Sequence, residues 1–126
     1  KILLVKQFRY PMQEILLELP AGKIDPGEAP EVTAARELEE EVGYTAGSLK
    51  KMAEFYSTPG FCDEKIHLYL GEDLRPCQAG GDHDEELEVL SFTLPELLEL
   101  IRSAKINDAK TIIGIQFLAL QLTGPS

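Results

Sequence analysis

The residues of this chain best placed to do chemistry together are Glu37, Glu40 and Glu41. On a helix their spacing of i, i+3 and i+4 puts all three carboxylates on one face, with Arg36 and Leu38 turned elsewhere. Like charges so close destabilise an isolated helix by about a few tenths of a kcal/mol per pair, so the arrangement calls for a cation. A hard divalent ion suits it, because Mg²⁺ takes oxygen ligands, keeps waters and is commonly shared with substrate phosphates. A bare run of glutamates is more often a solvated helix face. Here the surroundings argue for chemistry.

Asp25-Pro26-Gly27 is a turn signal, Pro30 suits a first helical turn, and Gly43 sits where a helix C-terminus takes a left-handed residue. The acidic face therefore belongs to a helix from Pro30 to Val42, entered from a tight loop. Val32, Ala35, Leu38 and Val42 recur at helical spacing and are the expected buried stripe. Ile2 to Gln7 and Ile15 to Leu19 read as strands before it, the second ended by Pro20. Leu49 to Tyr56, Ile66 to Leu74 and a run opening at Leu87-Glu88-Val89 read as strands after it. A helix from Pro95 to Ser103, capped by Thr93, and a longer one from Ala109 to Leu122, after Asn107-Asp108, close the chain. This order suits helices packed on both sides of a mixed sheet.

At 126 residues the chain is expected to form one domain with a proper core. Hydrophobic residues make up 44% and charged residues 27%, a globular rather than disordered composition. A net charge of -10 argues against a nucleic-acid duplex or an anionic membrane as the main partner. An anionic substrate could bind only where cations or local arginines reverse that field, a condition that a metal-dependent phosphate enzyme meets. Cys62 and Cys77 lack metal-type spacing and read as free thiols in a reducing cytoplasm. The opening Ile2-Leu3-Leu4-Val5 is too short for a signal peptide and no apolar run approaches membrane-spanning length, so a cytoplasmic location is expected. The chain starts at Lys1 inside an apolar run, without an initiator Met, and N-terminal sequence is expected to be missing.

Gly22, five residues, Glu28, seven residues, Arg36-Glu37-Leu38, one residue, Glu40-Glu41, one residue and Gly43-Tyr44 make up a longer pattern. It resembles a complete Nudix box, the signature of hydrolases that cleave a nucleoside diphosphate linked to another group. Every specified position of the box is matched. Gln7-Phe8-Arg9 with Pro11, and Leu17-Glu18-Leu19-Pro20-Ala21-Gly22, are similar to the ADP-ribose pyrophosphatase branch of that family. Lys105-Ile106-Asn107-Asp108-Ala109-Lys110-Thr111 is similar to the branch's C-terminal segment. Pro59, sixteen positions after Gly43, resembles the marker that separates ADP-ribose hydrolases from other Nudix subclasses.

The resemblance implies an α+β fold, the αβα Nudix sandwich with a mixed β-sheet between helices. It implies hydrolysis of ADP-ribose to AMP and ribose 5-phosphate, with Mg²⁺, or Mn²⁺ as the alternative, held by Glu37, Glu41, Glu40 and the backbone carbonyl of Ala21. Glu40 and Glu41 thereby count as catalytic. A glutamate of the acidic loop from Gln78 to Glu86 is implied as the base that activates water. Glu85 is the best match by its offset from Leu87-Glu88-Val89, with Glu86 and Asp84 close behind; such a stretch is otherwise a solvated loop.

Arg9 maps to an arginine that contacts substrate phosphate, a task for which its planar fork is suited. A lone arginine after a strand is otherwise a surface charge. Pro59 and Gly60 are carried over as substrate-binding residues, although a proline before a glycine is otherwise just a turn. Gly22 has a structural alternative, a turn needing positive φ. Glu28 either helps position Arg36 or binds metal through water, Arg36 neutralises and orients a neighbouring glutamate, and Gly43 ends the helix. The two histidines, His67 and His83, receive no role.

A second reading keeps the box and changes the substrate to another nucleoside diphosphate sugar, NADH or a dinucleoside polyphosphate. A third is a non-catalytic module that binds ADP-ribose. Members of the branch usually carry an N-terminal strand region that pairs two subunits. The complete protein is accordingly expected to be a homodimer, and without that region the Lys1 to Val5 strand is expected at an unprotected sheet edge.

Overall fold

In chain order the computed structural model contains β1 (Ile2–Arg9), β2 (Glu14–Glu18), α1 (Pro30–Glu37), a π-helical turn (Leu38–Val42), β3 (Tyr44–Tyr56), β4 (Lys65–Pro76), β5 (Glu88–Phe92), α2 (Leu94–Arg102) and α3 (Ala109–Thr123). It describes residues 2–9, 11, 14–77 and 88–123. Strands and helices follow one another in the expected order. Their contacts divide into two compact units, one built from the chain up to Leu19 with β5, α2 and α3, the other running from Pro20 through β4.

In the first unit the branched residues of β1 make it the middle of a three-stranded sheet ordered β2-β1-β5. Val5 faces Glu18 on one side and Val89 on the other, and both ladders are antiparallel. The expectation of an unprotected edge at Lys1 to Val5 is therefore wrong: β5 returns from far along the chain to pair with it, and Leu4 and Val5 are fully buried. Leu4 joins Leu97, Ile106 and Ile115 in the core, with Ile2, Leu17, Leu19 and Phe92 packed around it. Each such side chain contributes about 1.5–3 kcal/mol on burial. Thr93 caps α2 in a reciprocal box: Glu96 N–H donates to Thr93 Oγ1 at 3.3 Å and Thr93 N–H donates to Glu96 Oε1 at 2.8 Å.

The second unit is a long antiparallel hairpin, β3 with β4, bulged between Lys51 and Ala53, with α1 and the π turn packed on it. β3 starts well before the limit read from the sequence, since Tyr44 already pairs with Pro76, while β4 keeps close to its expected bounds. Val42 and Leu68 are its buried apolar residues. Val32, expected in the buried stripe of α1, is 53% exposed, and its neighbour Thr33 is buried instead. Thr33 can sit there because its hydroxyl donates to Glu28 Oε1 at 2.6 Å.

Every strand pair among the described residues is antiparallel, as an α+β chain allows, and no parallel pair of a mixed sheet is seen among them. Among the described residues, too, no helix is long and apolar enough to cross a membrane. Cys62 is exposed, Cys77 is half-buried, and both are free thiols.

Candidate active site

The site in the second unit starts from a tight turn. Glu28 N–H donates to the Asp25 carbonyl at 2.9 Å, and Gly27 takes the left-handed conformation that the turn requires, φ 79°. Pro30 then opens α1, with its ring already at a helical φ. The expected helix to Val42 changes winding after Glu37. Its last five residues form the π turn, closed by the Gly43 N–H on the Leu38 carbonyl at 3.1 Å with Gly43 at φ 78°. A wider turn rotates less per residue; within it Glu40 stays 3.5 Å from Arg36, and Glu41 meets the Ala21 N–H. Turns of this kind recur at functional sites.

Two carboxylates meet the loop that precedes the helix. Glu41 Oε1 accepts the Ala21 N–H at 3.1 Å. Glu37 lies against Gly22 so closely that a Cβ there would sit 1.9 Å from Glu37 Oε2 and 2.1 Å from its carboxyl carbon. Gly22 is thus needed for space, not for a positive φ, which it does not have. Any side chain at Gly22 would push Glu37 out of place.

Arg36 ties the group together. Its Nε and Nη2 donate to the two oxygens of Glu28 at 3.1 and 3.0 Å, its Nη1 donates to Glu37 Oε2 at 3.0 Å, and its Nη2 donates to the Lys23 carbonyl at 3.3 Å. Glu40 at 3.5 Å and Asp25 at 3.6 Å complete its ion pairs. One guanidinium therefore faces four carboxylates. Glu28 is held down to about pH 2 in its ionisation, chiefly by the hydrogen bonds from Arg36, then by those from Thr33 and from the Asp25 N–H. The Arg36 pKa is raised, mainly by the same bonds to Glu28.

Among the described residues no three His, Cys, Asp or Glu side chains gather closely enough to cage a metal by themselves. Glu37 and Glu41 still fit a hard cation: both reach the Ala21-Gly22 backbone, and every donor is an oxygen. Glu40, 42% exposed against 15% for Glu37, stands further into solvent. Pro59 and Gly60 lie in the exposed turn between β3 and β4, where the Phe61 and Cys62 N–H groups donate to the Thr58 carbonyl at 3.2 and 3.1 Å. Glu85, Glu86, Asp84 and His83 lie outside the described residues.

A NUDIX domain family model matches residues 1–113. The chain belongs to the Nudix family. This Nudix domain is 49% identical over 123 residues to an ADP-ribose pyrophosphatase of Bacillus subtilis (strain 168), covering 96% of this chain and 66% of that protein. It is 45% identical over 123 residues to a methanol dehydrogenase activator of Bacillus methanolicus, with the same coverages. Identity is 38% over 126 residues to a GDP-mannose pyrophosphatase of Salmonella paratyphi B (strain ATCC BAA-1250 / SPB7), with 93% and 65% covered. A solved structure described as an ADP compounds hydrolase superposes with a TM-score of 0.86 at 27% identity, covering 97% of this chain and 67% of that one. The Nudix domain thus spans about two thirds of the length of the relatives it matches.

Arg9, at the end of β1 in the first unit, is paired with a residue that sequence reasoning passed over. Its Nε and Nη2 donate to Glu18 Oε2 and Oε1 at 2.7 and 2.6 Å, and Lys110 Nζ donates to Glu18 Oε1 at 2.9 Å. Glu18 is 2% exposed. Burial alone would push its carboxyl up, but the bonds from Arg9 and Lys110 hold it below its ordinary value. Lys110 also donates to Asp108 Oδ2 at 2.9 Å, and Asp108 caps α3 by accepting the Thr111 N–H at 3.1 Å and hydroxyl at 2.6 Å. Thr111 Oγ1 in turn accepts the Leu19 N–H at 2.9 Å. A charged residue between two leucines, Leu17-Glu18-Leu19, was the signal available for this network.

Proposed function

We propose that this Nudix domain hydrolyses the pyrophosphate of ADP-ribose to give AMP and ribose 5-phosphate. The observation that carries the reading is the meeting of Glu37 and Glu41 with the Ala21-Gly22 backbone, beside an arginine already shared by four carboxylates. Arg36 can cancel only one of those charges. A divalent cation, Mg²⁺ or Mn²⁺, is the natural further counter-charge, and Glu37, Glu41, Glu40 and the Ala21 carbonyl would hold it together with substrate phosphates. Such an ion supplies charge neutralisation at the pyrophosphate and a more acidic water.

The chain's own residues do the rest. Water attacks one phosphorus, the bridging P–O bond breaks, and its electron pair departs on the leaving phosphate. Glu85 takes the water's proton. Arg9 meets a phosphate with its planar fork, and Pro59 and Gly60 contact the substrate. Arg36, anchored by Glu28, fixes Glu37, while Gly22 leaves it room and Gly43 ends the turn that carries Glu41. Phosphoryl chemistry asks chiefly for such positioning and charge stabilisation. The same reading makes the complete protein a cytoplasmic homodimer acting on a small nucleotide, with neither nucleic acid nor a membrane as partner.

A substrate panel with Mg²⁺ tests the assignment: ADP-ribose, NADH, diadenosine polyphosphates and GDP-sugars. AMP should be released fastest from ADP-ribose, and EDTA should stop it. Faster cleavage of GDP-mannose would move the assignment to a nucleoside diphosphate sugar, the reading favoured by the 38% identity to a GDP-mannose pyrophosphatase. Calorimetric binding of ADP-ribose without turnover of any substrate would make the domain a binding module instead.

A further inference from the structure

We propose that Glu18, backed by Lys110, is a positioning residue that fixes the guanidinium of Arg9 for a substrate phosphate; this rests on the reading that Arg9 meets such a phosphate. Glu18 stands opposite Val5 in the β1–β2 ladder, and residues 5, 7 and 9 of β1 share a face by strand alternation. Arg9 and Glu18 therefore belong to one face of the sheet, and the guanidinium closes on the carboxylate through two bonds of 2.6 and 2.7 Å. The fork is gripped by its Nε–Nη2 edge. A phosphate would be met by the Nη1–Nη2 edge, in the plane that Glu18 sets.

Three features argue that this is more than a stabilising ion pair. First, replacing a buried ionic group by well-packed apolar residues of similar volume is often neutral or stabilising, so stability alone does not account for a carboxylate 2% exposed in β2. Second, Glu18 is itself immobilised on both sides: Lys110 holds its Oε1 at 2.9 Å, and the next residue, Leu19, is fastened by its N–H to Thr111 at 2.9 Å. Asp108 holds Lys110 and Thr111 together, so the start of α3 is a single rigid brace. Third, burial is graded along the network. Glu18 is 2% exposed, Lys110 18% and Arg9 40%, so the bonds run from the interior toward the more exposed guanidinium. Sharing Glu18 with Lys110 also keeps Arg9 from being fully neutralised by its anchor. An arginine that reaches solvent yet is held in one orientation loses little freedom when it binds an anion.

The test is a double-mutant cycle on ADP-ribose hydrolysis at saturating Mg²⁺, with melting curves to confirm folding. Glu18→Gln should raise KM about tenfold, as expected when a charge-assisted bidentate anchor is lost, and leave kcat within about twofold. Arg9→Ala should raise KM at least as much. In the Arg9→Ala background, Glu18→Gln should add nothing further, because its effect passes through Arg9. A folded Glu18→Gln protein with unchanged KM, or KM effects that multiply in the double variant, would overturn the proposal. If Glu18→Gln does not fold, Lys110→Met takes its place, with about a threefold rise in KM that likewise vanishes in the Arg9→Ala background. An active wild type whose KM ignores Arg9→Ala sinks the positioning role and leaves the hydrolase reading standing. A wild type that turns over nothing in the panel sinks the hydrolase reading, and the same cycle is then decided on the calorimetric Kd for ADP-ribose.

Discussion

In one unit a single buried carboxylate, Glu18, is shared by two cations; in the other a single cation, Arg36, is shared by four carboxylates. The first arrangement satisfies itself. Its charges are matched within the protein, its members are mostly shielded from water, and its geometry is over-determined by hydrogen bonds. The second gathers four carboxylates on one guanidinium, and Glu41 lies by the neighbouring loop, where it accepts the Ala21 N–H. The same residue types are thus arranged in opposite ways: a closed network around one carboxylate, and an open one around one cation, which the proposed reading completes with a divalent ion.

The widest separation between the two should come from removing one carboxylate of the open group. Glu41→Gln keeps the shape and an acceptor for the Ala21 N–H but deletes a charge that, in the proposed reading, the cation would need. Turnover at saturating Mg²⁺ should fall by about a hundredfold or more, while the melting temperature holds or rises because like-charge repulsion is relieved. Near-normal rates would mean that the open group is only a solvated face. In the closed group the converse holds. Lys110→Met removes one of the two cations on Glu18 but leaves the two bonds from Arg9, and should cost about 1.5 kcal/mol of stability, measured by denaturant unfolding. A loss below about 0.5 kcal/mol, the size of a surface substitution, would erase the contrast.

What could be read from the sequence follows the same division. Local signals carried the open group: the spacing of Glu37, Glu40 and Glu41, the Asp25-Pro26-Gly27 turn, Pro30 as a start and Gly43 as a stop. Capping by Thr93 and Asp108 was equally legible, since a cap and its helix are neighbours in sequence. The closed group was not. Glu18 and Lys110 lie 92 residues apart, and a glutamate alternating with leucines looks like the wet face of a half-buried strand. The edge expected at Lys1 to Val5 was misread for the same reason, because the partner that covers β1 is β5, far along the chain. Val32 was misplaced by a short helix whose polar Thr33 is buried on a hydrogen bond to Glu28, a preference that hydrophobic periodicity cannot register. The π turn escaped because its residues have the composition of an ordinary helix.

The smallest effect, and the finest probe of the contrast, is in acid. Glu28 ionises near 2 in the folded protein against an ordinary value of 4.5, principally because Arg36 donates two hydrogen bonds to it. A depressed carboxylate contributes stability that is fully present above its unfolded value and is lost as pH falls through the folded one. Its contribution should therefore be constant above about pH 5 and decline between 4.5 and about 2. Glu54, also held near 2 by Lys51 and then Lys65, loses stability over the same range and persists in a Glu28→Gln variant. The variant should accordingly melt below the wild type at neutral pH in EDTA, and the two curves should converge toward pH 2 without the variant's own acid loss disappearing. Curves that stay parallel down to pH 2 would mean that Arg36 draws its anchorage from the other three carboxylates, and that Glu28 is no more than one member of a diffuse acidic cloud.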